Sequence, residues 1–136
     1  MKKIFLFLLL ATVSLASVQA QILDPVTWST SVKKISETEY DLIAKATIED
    51  KWHLYSQEVP PDGPLPTLFT FEENAAYKGI GKVQESQGIP EHDPVFDMVI
   101  TFFANTATFT KRIKLTGDKG TTVKGEVEFM VCDDTR

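Results

Sequence analysis

The chain has 136 residues, 43% of them hydrophobic and 24% charged, with a formal net charge of −5 and one cysteine, Cys132. That length suits one domain with one core and is too short for two. The acidic balance speaks against nucleic acid, because a phosphate-tracking surface needs clustered Lys and Arg; the densest basic run, Lys111, Arg112 and Lys114, reads as a solvated strand face.

In chain order, residues 1–20 come first and have the pattern of a cleavable secretory signal. Lys2 and Lys3 are its basic start, an apolar run extends from Ile4 to about Ala16, and the small Ala20 precedes the expected cut. The uninterrupted run of about 13 residues is shorter than the roughly 20 a membrane helix needs. No Cys follows it to carry a lipid. Cleavage would leave residues 21–136 as the domain, with 12 basic residues against 19 acids and a formal charge of about −7.

Sheet signals dominate the remainder. A short strand is expected over Val26–Ser31. In the next, Tyr40, Leu42, Ala44, Ala46 and Ile48 alternate with Asp41, Lys45 and Thr47. Trp52, His53, Leu54 and Tyr55 follow where the chain should leave the sheet, either as a loop folded onto the sandwich end or as the lining of a site. The proline-rich Val59–Pro66 is a loop, Leu68–Phe71 and Ile80–Glu85 are short strands, and Gly88–Pro94 is again a loop or an edge, since proline cannot donate to a ladder. Phe96, Met98, Ile100 and Phe102 then alternate, as do Ala107, Phe109, Ile113 and Leu115, which suggests a hairpin around Asn105. The turn residues Gly117–Gly120 lead to a last alternation of Val123, Val127, Phe129 and Val131, again expected as a hairpin with the strand before it. No helical period is evident. The expectation is an all-β fold, an antiparallel β-sandwich of the immunoglobulin-like type.

Cys132 carries the clearest chemical signal. The buried face of its strand is odd-numbered, so Cys132 should lie on the polar side with Glu126 and Glu128 rather than in the core. An odd cysteine in an exported protein calls for a reason, because oxidising compartments pair or oxidise stray thiols. Asp133 and Asp134 disfavour its thiolate and Arg136 partly offsets them, so exchange would depend on a reactive disulfide in a partner. His53 and His92 lack metal-ligand spacing, adjacent acids such as Glu72 and Glu73 do not make an acid–base pair, and no nucleotide or hydrolase motif is present. No cofactor and no metal are expected.

The segment Glu49-Asp50-Lys51-Trp52-His53-Leu54-Tyr55-Ser56, the loop with Phe96, and the end Val127-Glu128-Phe129-Met130-Val131-Cys132-Asp133-Asp134 together resemble the N-terminal periplasmic domain of the thiol:disulfide interchange protein DsbD. The likeness runs from about Ile22 to Arg136 and rests on the order and spacing of these segments. It implies an immunoglobulin-like sandwich in the periplasm with two cysteines near its end. It also implies a thioredoxin-like domain as electron donor, and periplasmic disulfide isomerases and cytochrome c maturation proteins as acceptors. By the same resemblance Cys132 is the first cysteine of the pair, and Phe96 is the cap-loop aromatic that covers the sulfurs. Tyr55 and His53 match a Tyr-Leu-Tyr segment lining the site, His53 standing where a tyrosine is usual.

Some positions depart from the family. The acids that precede the cap aromatic are replaced by Pro94 and Val95, with Asp93 and Asp97 nearby. The second cysteine is expected shortly after Arg136, and the 136 residues contain no membrane conduit or thioredoxin-like domain. A chain with one cysteine is expected to be inactive alone, because it cannot cycle between a dithiol and an internal disulfide. The resemblance implies a domain that relays reducing equivalents to exported disulfide proteins. The competing readings are a non-enzymatic immunoglobulin-like binding module and a small-ligand pocket beneath the proline-rich and Phe96 loops.

Overall fold

A computed structural model describes residues 23–117 and 120–133. The expected signal segment, residues 1–20, lies outside the described residues, as do residues 118–119 of the expected Gly117–Gly120 turn. Ten strands and no helix are present among the described residues: β1 (Val26–Lys34), β2 (Glu39–Ile48), β3 (Trp52–Tyr55), β4 (Leu68–Phe71), β5 (Tyr77–Glu85), β6 (Ile89–Asp93), β7 (Met98–Phe103), β8 (Thr106–Leu115), β9 (Gly125–Glu128) and β10 (Val131–Asp133). They form a sheet of order β1-β2-β8-β5, a second of order β10-β3-β7-β6, and a two-stranded sheet β4-β9. Every pairing is antiparallel. The all-β antiparallel sandwich read from the alternation is the observed class.

The core lies between the sheets. Val26, Ala46, Ile48, Ala107 and Phe109 reach it from the first sheet and Leu54 and Phe103 from the second, with Trp28, Phe69, Phe129 and Val131 packed around them. Trp28 stands in the middle of an aromatic cluster, its ring 5.5 Å from Phe129, 5.8 Å from Phe109 and 6.0 Å from Phe69, the last nearly edge-on. Such offset and edge contacts suit the ring quadrupole and add to the hydrophobic gain.

Neither expected hairpin forms. At Asn105 the chain passes from the second sheet to the first, so β7 and β8 are not partners. A tight corner makes the crossing: Asn105 adopts φ of 63°, a conformation asparagine tolerates better than most residues. The Asn105 carbonyl accepts from the Ile48 N–H at 2.8 Å. This corner lets Phe103 and Ala107, four residues apart, enter one core from opposite sheets. After Gly117 the chain likewise leaves β8, and β9 pairs with β4. The last alternation is two strands rather than one, because β9 ends at Glu128 and β10 joins β3 in the other sheet.

β3, expected as a loop or a site lining, is a strand, bulky on both faces; the Gly88–Pro94 segment, expected as a loop or an edge, holds the edge strand β6, where Pro90 is tolerated. Lys111 also differs from the reading of its basic run: it lies opposite Leu42 on the inner face of the first sheet, while Arg112 faces outward. There Arg112 grips its register partner Asp41 with two hydrogen bonds, of 2.8 and 3.0 Å.

The bonds from Arg112 hold the Asp41 carboxyl below its ordinary value, against a smaller opposing effect of burial. A depressed folded-state value means that this pair stabilises the fold above the unfolded carboxylate pKa of about 3.9 and loses that contribution as pH falls through the folded value. Asp41→Asn should therefore lower the melting midpoint by at most a few degrees at pH 7, with the gap to the parent closing below about pH 4. Paired thermal melts from pH 2 to 7 test this; a gap that persists at pH 2 would show that packing, not the ion pair, is responsible.

Candidate functional site

The outer face of the second sheet collects Cys132, His53 and Tyr55, three of the residues singled out in the sequence. Directly opposed residues of an antiparallel pair share a face, as do residues two apart on a strand. Cys132 opposes His53, His53 and Tyr55 are two apart on β3, and Tyr55 opposes Phe102 on β7. These four side chains therefore lie on one side, whereas Leu54 and Val131, one residue off, turn into or against the core. Cys132 is half-buried on this outer face, away from the core as its parity required.

The Tyr55 end of this face is covered, while Cys132, His53 and Phe102 are half-buried. The Tyr55 hydroxyl donates to the Cys132 Sγ at 3.0 Å, and the Tyr55 side chain is only 3% exposed. The His53 ring stacks on Phe102, with centroids 4.0 Å apart and planes at 26°. The proline-rich loop closes from above: a Cβ on Gly63 would meet Val59 at 2.7 Å and stand 3.3 Å from the Met98 sulfur, so only glycine lets the loop approach β7 so closely. Thr67, where the loop returns, donates its hydroxyl to the Tyr55 carbonyl at 2.6 Å and its N–H to the Ser56 carbonyl at 3.1 Å.

Burial raises the pKa of the Tyr55 hydroxyl, and the bond to Cys132 and the charge of Asp93 push it further in the same direction. The phenol thus stays protonated through the range in which thiols ionise, near 8.5. It remains a donor as the sulfur becomes negative, and a donor bond to an anion favours the anion.

Phe96 sits half-buried in the tight connection between β6 and β7. Asp93 builds that connection, accepting from the N–H groups of Val95 at 2.7 Å and Phe96 at 3.2 Å, and His92 meets Asp97 at 3.2 Å across its base. Asp93 and Phe102 are the contributors that sequence reasoning passed over. An Asp immediately before Pro94 is a turn signal that could have marked the first; Phe102 had been read only as part of a strand.

A carboxylate from the opposite sheet fixes the exit of β3. Glu85, at the end of β5, accepts from the hydroxyl of Ser56 and, at 3.0 Å, from the backbone N–H of Gln57; the Gln57 side chain adds a third bond at 3.2 Å. Ser56 is 1% exposed, so its hydroxyl has no water to replace this partner. Glu85→Ala should cost about 1–3 kcal/mol, the penalty for leaving a buried donor unsatisfied. It would appear as a lower urea midpoint with an unchanged slope; a midpoint within error of the parent would mean the clamp carries no net stability.

No helix among the described residues is long and apolar enough to cross a membrane. Among known proteins, the family model described as the N-terminal part of the thiol:disulfide interchange protein DsbD matches residues 19–136. No curated protein and no solved structure gives a match.

Proposed function

The chain belongs to the family of N-terminal domains of the thiol:disulfide interchange protein DsbD, and on that premise we propose that Cys132 is the sulfur through which it passes reducing equivalents to other exported disulfide proteins. In this reading residues 1–20 direct export and are removed, residues 21–136 act in the periplasm, and Phe96, Tyr55 and His53 shape and cap the thiol. The carrying observation is the Tyr55 hydroxyl donating to the half-buried Cys132 Sγ on the outer face of the second sheet.

The step is thiol–disulfide exchange. The Cys132 thiolate attacks one sulfur of a partner's disulfide; a bond forms between the two proteins as the partner's S–S bond breaks. The departing sulfur leaves as a thiolate and takes a proton from solvent. A second thiol then attacks the Cys132 sulfur, forming a disulfide with it and releasing the partner with both of its sulfurs reduced. The sequence holds a single cysteine, so that second thiol comes from outside these 136 residues. The donor is a thioredoxin-like domain, and the acceptors are disulfide isomerases or cytochrome c maturation proteins. Covering the sulfur limits access by small oxidants until a cognate partner displaces the cap.

The test is reduction of an oxidised periplasmic disulfide isomerase by the domain extended to include the family's second cysteine. Activity should be lost in Cys132→Ser, with the fold retained by circular dichroism. Equal turnover by parent and variant would end the assignment of Cys132.

A further inference from the structure

The carbonyl of Tyr55 takes its hydrogen bond from outside the sheet. Tyr55 and Met130 stand opposite each other where the register of β3 and β10 is continued by one step, and the Tyr55 N–H donates to the Met130 carbonyl at 3.3 Å. In a regular antiparallel pair the Met130 N–H would return the second bond. β10 begins only at Val131, and the Tyr55 carbonyl accepts instead from the Thr67 hydroxyl at 2.6 Å. The Thr67 N–H donates to the next carbonyl, that of Ser56, at 3.1 Å. One residue, 2% exposed, thus fixes two consecutive peptide units at the end of β3.

The peptide held in this way carries the phenol that donates to Cys132 Sγ at 3.0 Å. The phenol oxygen lies at the far end of the ring from Cα, so a small rotation of the backbone is magnified there, and a hydrogen bond weakens steeply as its angle closes. The Thr67 hydroxyl is committed to the Tyr55 backbone, so its influence on the sulfur passes through Tyr55. Among the described residues, the titratable groups on the sulfur's side of the second sheet are Cys132, His53 and Tyr55, with Glu91 and Asp93 on β6 opposite Ile100 and Met98. The covering loop adds Asp62 and Glu58, the latter in contact with Lys82. A substitution at Thr67 alters none of these charges.

We infer that Thr67 is a positioning residue for exchange at Cys132: its hydroxyl holds the Tyr55 peptide so that the phenol stays aimed at Sγ. The inference rests on the reading of Cys132 as the exchanging sulfur. The phenol favours the thiolate by donating to it, so a phenol turned away leaves Cys132 less ionised near neutral pH. Valine has the shape of threonine without the hydroxyl; serine keeps the hydroxyl without the methyl.

Alkylation of the folded chain by iodoacetamide between about pH 6 and pH 10 tests it, in the parent, Thr67→Val, Thr67→Ser, Tyr55→Phe and the double variant of Thr67→Val with Tyr55→Phe. Thr67→Val should react about three-fold more slowly than the parent at pH 7 and faster near pH 10, while Thr67→Ser follows the parent. With Tyr55→Phe already in place, Thr67→Val should add nothing, because both act through the same bond. A parent-like curve for Thr67→Val, or a shift of equal size with and without the phenol hydroxyl, overturns the inference. If Thr67→Val does not fold, Thr67→Ser decides: the parent's curve supports the hydroxyl as the holding group, and a curve displaced to that of Tyr55→Phe overturns it. Alkylation needs no protein partner, so this result is separate from the isomerase assay on which the role of Cys132 depends.

Discussion

Phe109→Ala should destabilise the protein by about 3–5 kcal/mol, the usual cost of truncating a buried phenylalanine. Phe109 is 1% exposed and its ring meets three others: Phe69 at 5.0 Å, Phe103 at 5.6 Å and Trp28 at 5.8 Å. These come from all three sheets, because Trp28 lies on β1, Phe69 on β4 and Phe103 on β7. Removing the ring deletes the contact at which the layers meet. The void it leaves would merge with the neighbouring cavity, whose wall Phe109 forms, so little collapse can offset the loss. Against a typical domain stability of about 5–15 kcal/mol, this brings the protein near its unfolding threshold. Urea unfolding measures the change; a loss under about 1 kcal/mol would mean that the sheets are held together elsewhere.

Tyr55→Phe should change how fast Cys132 reacts and how that rate depends on pH. The phenol is held protonated well above the thiol range, by burial first, and it donates to the sulfur at 3.0 Å. Losing a hydrogen bond to a charged group costs about 1.5–3 kcal/mol, or one to two units in the thiol pKa. For a one-unit rise the thiolate fraction at pH 7 falls about ten-fold. A more basic thiolate is intrinsically more nucleophilic, with a Brønsted slope of about 0.4–0.5, which returns roughly three-fold. The variant should therefore be alkylated by iodoacetamide about three-fold more slowly at pH 7 and about three-fold faster near pH 10, so that the two pH–rate curves cross. Curves that run parallel without crossing would show that Tyr55 acts by covering the sulfur rather than by stabilising its anion.

The elements most legible in the sequence are those with one wet face. β2 and β8, apart from Lys111, alternate because their outer faces carry Asp41, Lys45, Arg112 and Lys114, and period-two patterning reports such strands directly. β3 was opaque for the opposite reason. Leu54 enters the core while Tyr55 is buried under the proline-rich loop, so Trp-His-Leu-Tyr shows no alternation although it is a strand. β7 is similar, with Ile100 buried on one face and Phe103 on the other.

Which strands pair was less legible than where they lie. The turns at Asn105 and after Gly117 have the composition of hairpin turns, yet both lead the chain into another sheet, since local turn chemistry sets a bend and not a partner. At the site, the parity of Cys132 was readable because Phe129 and Val131 keep their inward phase even though β9 ends before them. The Glu85 clamp and the Asp93 turn depend on contacts across 28 residues and across sheets, or on a single side-chain cap, and neither leaves a periodic trace. Lys111 was grouped with its basic neighbours, although its position in the row of Phe109 and Ile113 already marked it as inward-facing.

The central claim is that Cys132 exchanges disulfides with a protein partner from the folded state. It is tested most directly by mixing the folded, reduced chain with a periplasmic disulfide isomerase whose attacking cysteine carries a thionitrobenzoate group. Attack by Cys132 at the isomerase sulfur releases one thionitrobenzoate anion and leaves a covalent complex between the two proteins. The account predicts one equivalent of release and a disulfide-linked peptide pair containing Cys132 under native conditions. Release and linkage that occur only after the chain is unfolded would contradict it.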